Sequence, residues 1–531
     1  MTPATPRPGR ARRSRLRGVS GAVAMLLSAG LLLSGCVFSP PFGGNQGSNS
    51  GSGKASGRNP DILESAPDGL ESFYAQDVDW STCEDGFQCA NIKVPTDYAN
   101  PDAGSIAIAV IRLDASRSGK KGSILVNPGG PGASGYDYVR DAGRTRFTAK
   151  LRASYDMVGF DPRGVKRSAP VTCLSDAERD AAREKVYRYE TDEGIQAAIE
   201  DNKAIIAKCV EKSGPALAHI DTESSAKDMD ILRAVLNDTK LNYLGYSYGT
   251  SLGATYAELF PDNVGRLVLD GAMDLSLNNE DMTAEQVEAF EKALRRYVQD
   301  CLDGPDCPMS GSLDDAMLQL QELVAAVDAN PETAEDGRLV TGPAMATALY
   351  TPLYDDASWP VLTQALTAAF QGDVSLMLRI ADMGADRDPD GSYRSNTGFA
   401  FNAINCLDYP MVTDTAGMRA EAKRLTALAP TFGPYFAYGG LNCKDWPHKA
   451  VGSPGPAEYS GKAPIVVIGT TGDPATPYQW AEAMRKQLGN AVLLSWEGEG
   501  HTAYGRSNSC VADAVDAYFV NGEVPADGTR C

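Results

Sequence analysis

Histidine is scarce in this chain: there are three among 531 residues, and no C-x-x-C pair accompanies them. That shortage argues against zinc and redox-metal centres, whose ligand sets draw on imidazole and paired thiolates. Basic charge is short as well. Lys and Arg number 49 against 69 Asp and Glu, for a formal charge of −20, and because the first 36 residues hold six Arg and no acid, the rest carries −26. Such a surface argues against nucleic acid as a partner and against electrostatic docking on anionic lipid. No internal repeat is present, and the composition, 43% hydrophobic and 22% charged, is that of a folded globular protein.

Six of the 49 cationic residues form a cluster at the start with no acid among them. Arg7, Arg10, Arg12, Arg13, Arg15 and Arg17 precede the uncharged run Gly18 to Gly35 and then Cys36, the pattern of an export signal. The segment "LLLSGC" resembles a bacterial lipobox, so residues 1–36 are expected to be a lipoprotein signal with Cys36 as the lipidation site; an ordinary cleaved signal is the alternative. Arg12-Arg13 leaves general and twin-arginine export both open. Residues 37–59 are dominated by Gly, Ser and Asn and read as a flexible tether. Ten further cysteines, an even number in an exported chain, imply disulfides. Loop-closure entropy favours near neighbours, pairing Cys83 with Cys89, Cys173 with Cys209, Cys301 with Cys307, Cys406 with Cys443 and Cys510 with Cys531.

Short apolar runs, among them "SIAIAVIRL", "SILVNPGG", "DMVGFDPRG", "LNYLGYS", "RLVLDG", "PIVVIGTTGD" and "AVLLSWEGEGH", are each followed by a Gly-rich turn or a helical pattern. Alternation of that kind predicts an α/β fold with a mostly parallel sheet covered by helices on both faces. Between residues 276 and 455 the strand signature disappears. Thr283 and Gln286 suggest a capping box, followed by Val287, Phe290, Leu294, Tyr297, Val298 and Cys301 on one helical face; a second helix is expected from Ser312 to Asn330. The reading is a core of residues 60–275 and 456–531 with a helical cap inserted at 276–455.

Within the core, "GYSYGTSLG" (245–253) holds the pentapeptide G-x-S-x-G twice, centred on Ser247 and Ser251. A nucleophile elbow needs a buried strand, a strained turn and a helix. Ser247 lies between the strand "LNYLGY" and the helix "YGTSLGATYAELF"; Ser251 lies inside that helix, where its hydroxyl is expected to bond a backbone carbonyl. A serine hydroxyl requires a histidine base oriented by a carboxylate. His501 follows a strand, whereas His219 and His448 do not; Asp473 ends another strand, with Asp270 as the rival acid. The tetrahedral intermediate needs two N–H donors. One is expected from Tyr248, the residue after the nucleophile. The other should come from the loop "NPGGPGASG", with Gly130 the first choice and Gly129 the second.

Taken in order, "NPGGPGASG", "GFDPRGVKRS", "LGYSYGTSLGATYAELFP", "RLVLDG", "INCLDYP", "CKDWP", "TTGDPATP" and "GEGHT" span most of residues 80 to 510. They resemble the secreted bacterial tripeptidyl aminopeptidases and their proline-iminopeptidase relatives, serine exopeptidases of the α/β-hydrolase fold. The resemblance implies Ser247, Asp473 and His501 as the triad, no cofactor or metal, and release of short peptides, with tripeptides the expected unit, from a free N-terminus. Lys166 departs from the family, which usually has glycine there, in a loop expected to be structural. An exopeptidase must read its substrate's ammonium with a carboxylate, and Asp408 in "NCLDYP" is the candidate; Thr476 is expected to orient the turn that carries Asp473. An envelope esterase or lipase using the same triad, and a non-catalytic binding lipoprotein on this scaffold, are the rival readings.

Overall fold

The computed structural model describes residues 59–531 apart from Ser65, so Cys36 and nearly all of the tether expected at 37–59 lie outside the described residues. The strands are β1 (Ser81–Thr82), β2 (Gln88–Pro95), β3 (Ser105–Leu113), β4 (Ser123–Asn127), β5 (Asp156–Phe160), β6 (Leu241–Tyr246), β7 (Val264–Asp270), β8 (Glu332–Thr333), β9 (Leu339–Val340), β10 (Ile465–Gly472), β11 (Ala491–Glu499) and β12 (Thr529–Arg530). Ten of them form one sheet in the order β1-β2-β3-β5-β4-β6-β7-β10-β11-β12, while β8 and β9 pair separately. From β5 to β12 every pairing is parallel; β1 to β3 add an antiparallel edge.

The continuous apolar runs are explained by burial on both faces. Leu241 and Tyr243 of β6 and Ile465 and Val467 of β10 enter one apolar cluster. Leu244, Tyr246, Val466 and Ile468, offset by one, enter the cluster on the opposite face. Alternation of successive side chains across the sheet demands this split. The helix Tyr248–Leu259 then lies tight against the sheet: a Cβ on Gly249 would stand 2.8 Å from the Asn127 carbonyl, and one on Gly253 would stand 2.6 Å from Leu269.

Most of the helices between β7 and β10 pack around a third cluster that includes Val287, Phe290, Leu294, Tyr297, Val298, Cys301, Met317, Leu320, Val324 and Val327, whereas the helix Thr397–Asp408 buries Ala400, Ala403, Ile404 and Leu407 in the first cluster. One local expectation fails. The helix Asn279–Asp303 begins four residues before Thr283, capped by Asn278, whose side chain accepts from the Asp281 amide. Thr283 is therefore inside the helix, donating to the Asn279 carbonyl at 2.8 Å, and Gln286 is freed to reach Ala475. The polar run "NNED" just upstream supplies a cap first. The second helix, Leu313–Ala329, does start with a capping box from Ser312. All five disulfides join the expected neighbours. No helix of the described residues is long and apolar enough to cross a membrane.

Candidate active site

Because β4, β6, β7, β10 and β11 run parallel, their C-terminal ends share one edge of the sheet. Asn127, Tyr246, Asp270, Gly472 and Glu499 are the last residues of those strands, and every chemistry-bearing residue expected in the core follows one of them within a few positions.

Ser247 occupies the turn between β6 and the helix Tyr248–Leu259 at φ 56° and ψ −125°. A non-glycine residue in that region costs roughly 1–3 kcal/mol. The turn is held by the Ser247 amide donating to the Asp270 carbonyl at 2.9 Å and by the Thr250 amide donating back to Ser247 at 2.8 Å. Ser251 is buried in the same helix. Contrary to expectation its hydroxyl bonds no carbonyl and has no partner among the described residues.

Asp473 is buried, and its two oxygens collect five donors. The amides of Ala475 and Thr476 reach one oxygen at 2.9 Å each; the Thr476 hydroxyl, at 3.0 Å, and the Thr502 amide, at 3.1 Å, reach the other. His501 Nδ1 lies 2.9 Å from both. That arrangement leaves Nε2 on the far side of the ring, buried and without a partner among the described residues. Thr476 also stands 3.3 Å from Nδ1, between acid and ring. The pair Asp270-Gly271 connects serine and histidine: the Asp270 carbonyl takes the Ser247 amide, and a Cβ at Gly271 would be 3.2 Å from His501 Cε1.

Asp270, the rival acid, is spent elsewhere. Its carboxylate accepts from the Ala503 amide at 3.0 Å and the Tyr504 amide at 2.7 Å, pinning the loop behind His501, and burial pushes its carboxyl up to about 7. His219 and His448 lie away from this edge. His219 is 3.8 Å from Asp97, and burial together with the nearby His219 lowers the His448 imidazole.

The loop after β4 presses on the serine turn. Gly129 has φ 97°, and a Cβ there would fall 2.5 Å from the Tyr246 carbonyl and 2.8 Å from Ser247 Cβ. Its amide is taken by Asn127 Oδ1 at 2.8 Å. The amides of Gly130 and Tyr248 donate to nothing among the described residues. Gly129→Ala should displace the serine turn and lower kcat by ~100-fold or more, as expected when reacting groups move by about an ångström; kinetics on the folded variant check this.

Asp408 ends the helix Thr397–Asp408. Its Oδ1 accepts from the Thr222 amide at 2.9 Å and its Oδ2 from the Thr222 hydroxyl at 2.6 Å; Thr222 in turn is bonded by the Tyr248 phenol. No Lys, Arg or His pairs with it among the described residues, and burial pushes its carboxyl up to about 7. Lys166, at φ 43°, pairs with Asp137, and its amide donates to Asn396.

Several contributors carried no readable signal. Asn127 holds the Gly129 amide, Thr222 links Asp408 to Tyr248, and Tyr354 of the inserted region accepts the His501 amide through its carbonyl at 2.8 Å while its ring meets the imidazole edge-on at 5.3 Å. Asn127 could have been found as the last residue of a strand facing a Gly-rich turn; Thr222 and Tyr354 are placed only by packing.

Residues 429–531 match the family model described as TAP-like protein. Serine protease Hip1 of Mycobacterium tuberculosis is 35% identical over 482 residues, covering 87% of this chain and 92% of its own. Carboxylesterase B of the same organism is 35% identical over 528 residues, covering 97% and 99%. Tripeptidyl aminopeptidase of Streptomyces lividans is 30% identical over 470 residues, covering 86% of each. The chain thus belongs to the tripeptidyl-aminopeptidase-like family of α/β-hydrolases, and it is a serine hydrolase.

Proposed function

We propose that this hydrolase is a serine exopeptidase that removes short peptides, three residues at a time, from the free N-terminus of peptide substrates outside the cytoplasm. Ser247 Oγ attacks the scissile carbonyl while its proton passes to His501 Nε2. Asp473 holds the ring through Nδ1 and stabilises the imidazolium that forms. Charge on the carbonyl oxygen is received by the amides of Tyr248 and Gly130. Collapse of the tetrahedral intermediate breaks the C–N bond, and the proton on Nε2 goes to the leaving amine. Water then repeats the sequence on the ester of Ser247. Thr476 keeps Asp473 turned toward the ring. The five disulfides and the export signal ending at Cys36 support action beyond the membrane, with Cys36 as a lipid anchor.

The observation that carries the exopeptidase reading is Asp408, a partly buried acid with no countercharge among the described residues, linked through Thr222 to the residue beside the nucleophile. A substrate ammonium supplies the missing cation. The relatives named tripeptidyl aminopeptidase and serine protease support a peptide substrate. Because burial raises the Asp408 carboxyl to about 7, it carries the charge that pairs with an ammonium only above that pH. KM for a free-amine tripeptide anilide is therefore expected to climb as pH falls through about 7, whereas Asp408→Asn raises KM by ~10-fold or more at pH 8 and flattens the trend. N-acetylation of the peptide should produce the same loss. Equal cleavage of the blocked peptide would remove the exopeptidase reading, and activity on acyl esters alone would move the chain toward its relative named carboxylesterase B.

A further inference from the structure

The proposed acid–base pair is gripped from outside the sheet. β10 and β11 pair in register up to Thr470 with Trp496, then slip, so that Gly472 faces Glu499. Each strand leaves the sheet there: Asp473 follows Gly472 directly, and His501 comes two residues after Glu499. A slipped register disrupts the ladder locally and leaves a residue between the two pairs without a ladder partner.

Arg296, in the C-terminal half of the helix Asn279–Asp303, closes this gap with two arms. Its Nε donates to Glu499 Oε2 at 2.7 Å and its Nη2 donates to the Gly472 carbonyl at 2.9 Å. One planar guanidinium thus spans the ends of both strands, a geometry that a single ammonium cannot reproduce. The same helix reaches the acid-bearing turn again through Gln286, which donates to the Ala475 carbonyl at 2.6 Å, and through Glu285, which accepts from Gln479 at 3.0 Å. Ala475 is itself a donor to Asp473. Arg506 grips the other strand end, donating to the carbonyls of Glu499 and Thr502.

We infer that Arg296 is a positioning residue for acylation: it sets the separation of Asp473 and His501 by tying together the strand ends that carry them. The helical region between β7 and β10 thereby completes the catalytic geometry. The inference rests on Asp473 and His501 acting as the acid–base pair.

The test uses the full chain with p-nitrophenyl acetate, a reporter of serine acylation that needs no ammonium site, and with an active-site phosphonate. Arg296→Ala is expected to lower kcat and the labelling rate constant by ~10- to 100-fold with KM changed by less than about 2-fold, as loss of alignment alone dictates. Arg296→Lys, which offers a charge but not the two-armed fork, should fall between. Arg295→Ala, on the same helix but paired with Asp314, should match wild type. Glu499→Gln keeps the test open where Arg296→Ala fails to fold, and is expected to lose ~3-fold or more in kcat by weakening a charge-assisted bond. Wild-type kcat in the folded Arg296 variants, or a lowered Tm with kcat intact, overturns the inference and assigns Arg296 to stability alone. Full activity in His501→Ala would instead remove the acid–base assignment on which it stands.

Discussion

Ser247→Ala is expected to abolish hydrolysis, with kcat reduced by ~10⁴- to 10⁶-fold, the loss seen when a triad nucleophile is removed and only binding and the oxyanion donors remain. Covalent labelling by a phosphonate should vanish with it. Ser251→Ala is the matched control, because the two serines sit in overlapping copies of one pentapeptide. Ser251 is buried with a hydroxyl that has no partner among the described residues, so its removal leaves no donor or acceptor stranded there and should be neutral or slightly stabilising. Labelling that survives in Ser247→Ala, or disappears in Ser251→Ala, would reverse the assignment. The physical contrast lies in the backbone: Ser247 sits at φ 56° on a turn between strand and helix, while Ser251 is a helical residue facing the interior.

Asp473→Asn carries the second large effect. An amide in place of the carboxylate would present its own N–H groups to some of the five donors now converging on Asp473, and the ring would be held in the wrong tautomer. A fall in kcat of ~10⁴-fold with little change in fold is expected, read by kinetics beside a thermal melt. Asp270→Asn should behave in the opposite manner. Its carboxylate anchors the Ala503 and Tyr504 amides, so the variant is expected to lose ~1–3 kcal/mol of stability while keeping far more activity than Asp473→Asn. The pH dependence has a definite sign. Burial raises the folded-state value of Asp270 to about 7, above the ordinary range near 4 of an unfolded aspartate, so between those limits the folded protein binds the extra proton. The contribution of Asp270 is therefore greatest below the unfolded value and is lost as pH rises to about 7. The stability gap between wild type and Asp270→Asn should narrow over that window; a gap that widens would contradict the burial assigned to Asp270.

Much of this was legible before any coordinates. Runs such as "PIVVIGTTGD" and "RLVLDG" are too apolar for a strand with one wet face, and residues at their C-terminal ends are natural candidates in a parallel sheet. Ser247, Asp473 and His501 were accessible by that route, as was the Gly-rich loop beside Gly129 and Gly130. The helical region after residue 276 was visible where continuous apolar runs give way to helical spacing, although its first cap was misplaced because Asn278 is as good a cap as Thr283. β2 was missed: "QCANIKVP" mixes polar and apolar residues as an antiparallel edge strand does, and that pattern is weaker than a continuous run.

Sequence by itself determined which residues stand at strand ends, because strand period, glycine at strained turns and neighbouring cysteines are local properties of the chain. It also limited the candidate bases to three histidines. Tertiary structure alone decided that Asp408 reaches Tyr248 through Thr222 and that Arg296 and Tyr354 touch the two loops that carry Asp473 and His501. These contacts join residues far apart in the chain. Their existence depends on how a helix of the insertion packs against the sheet edge, and no local pattern of apolar spacing records which polar side chains that packing brings within reach.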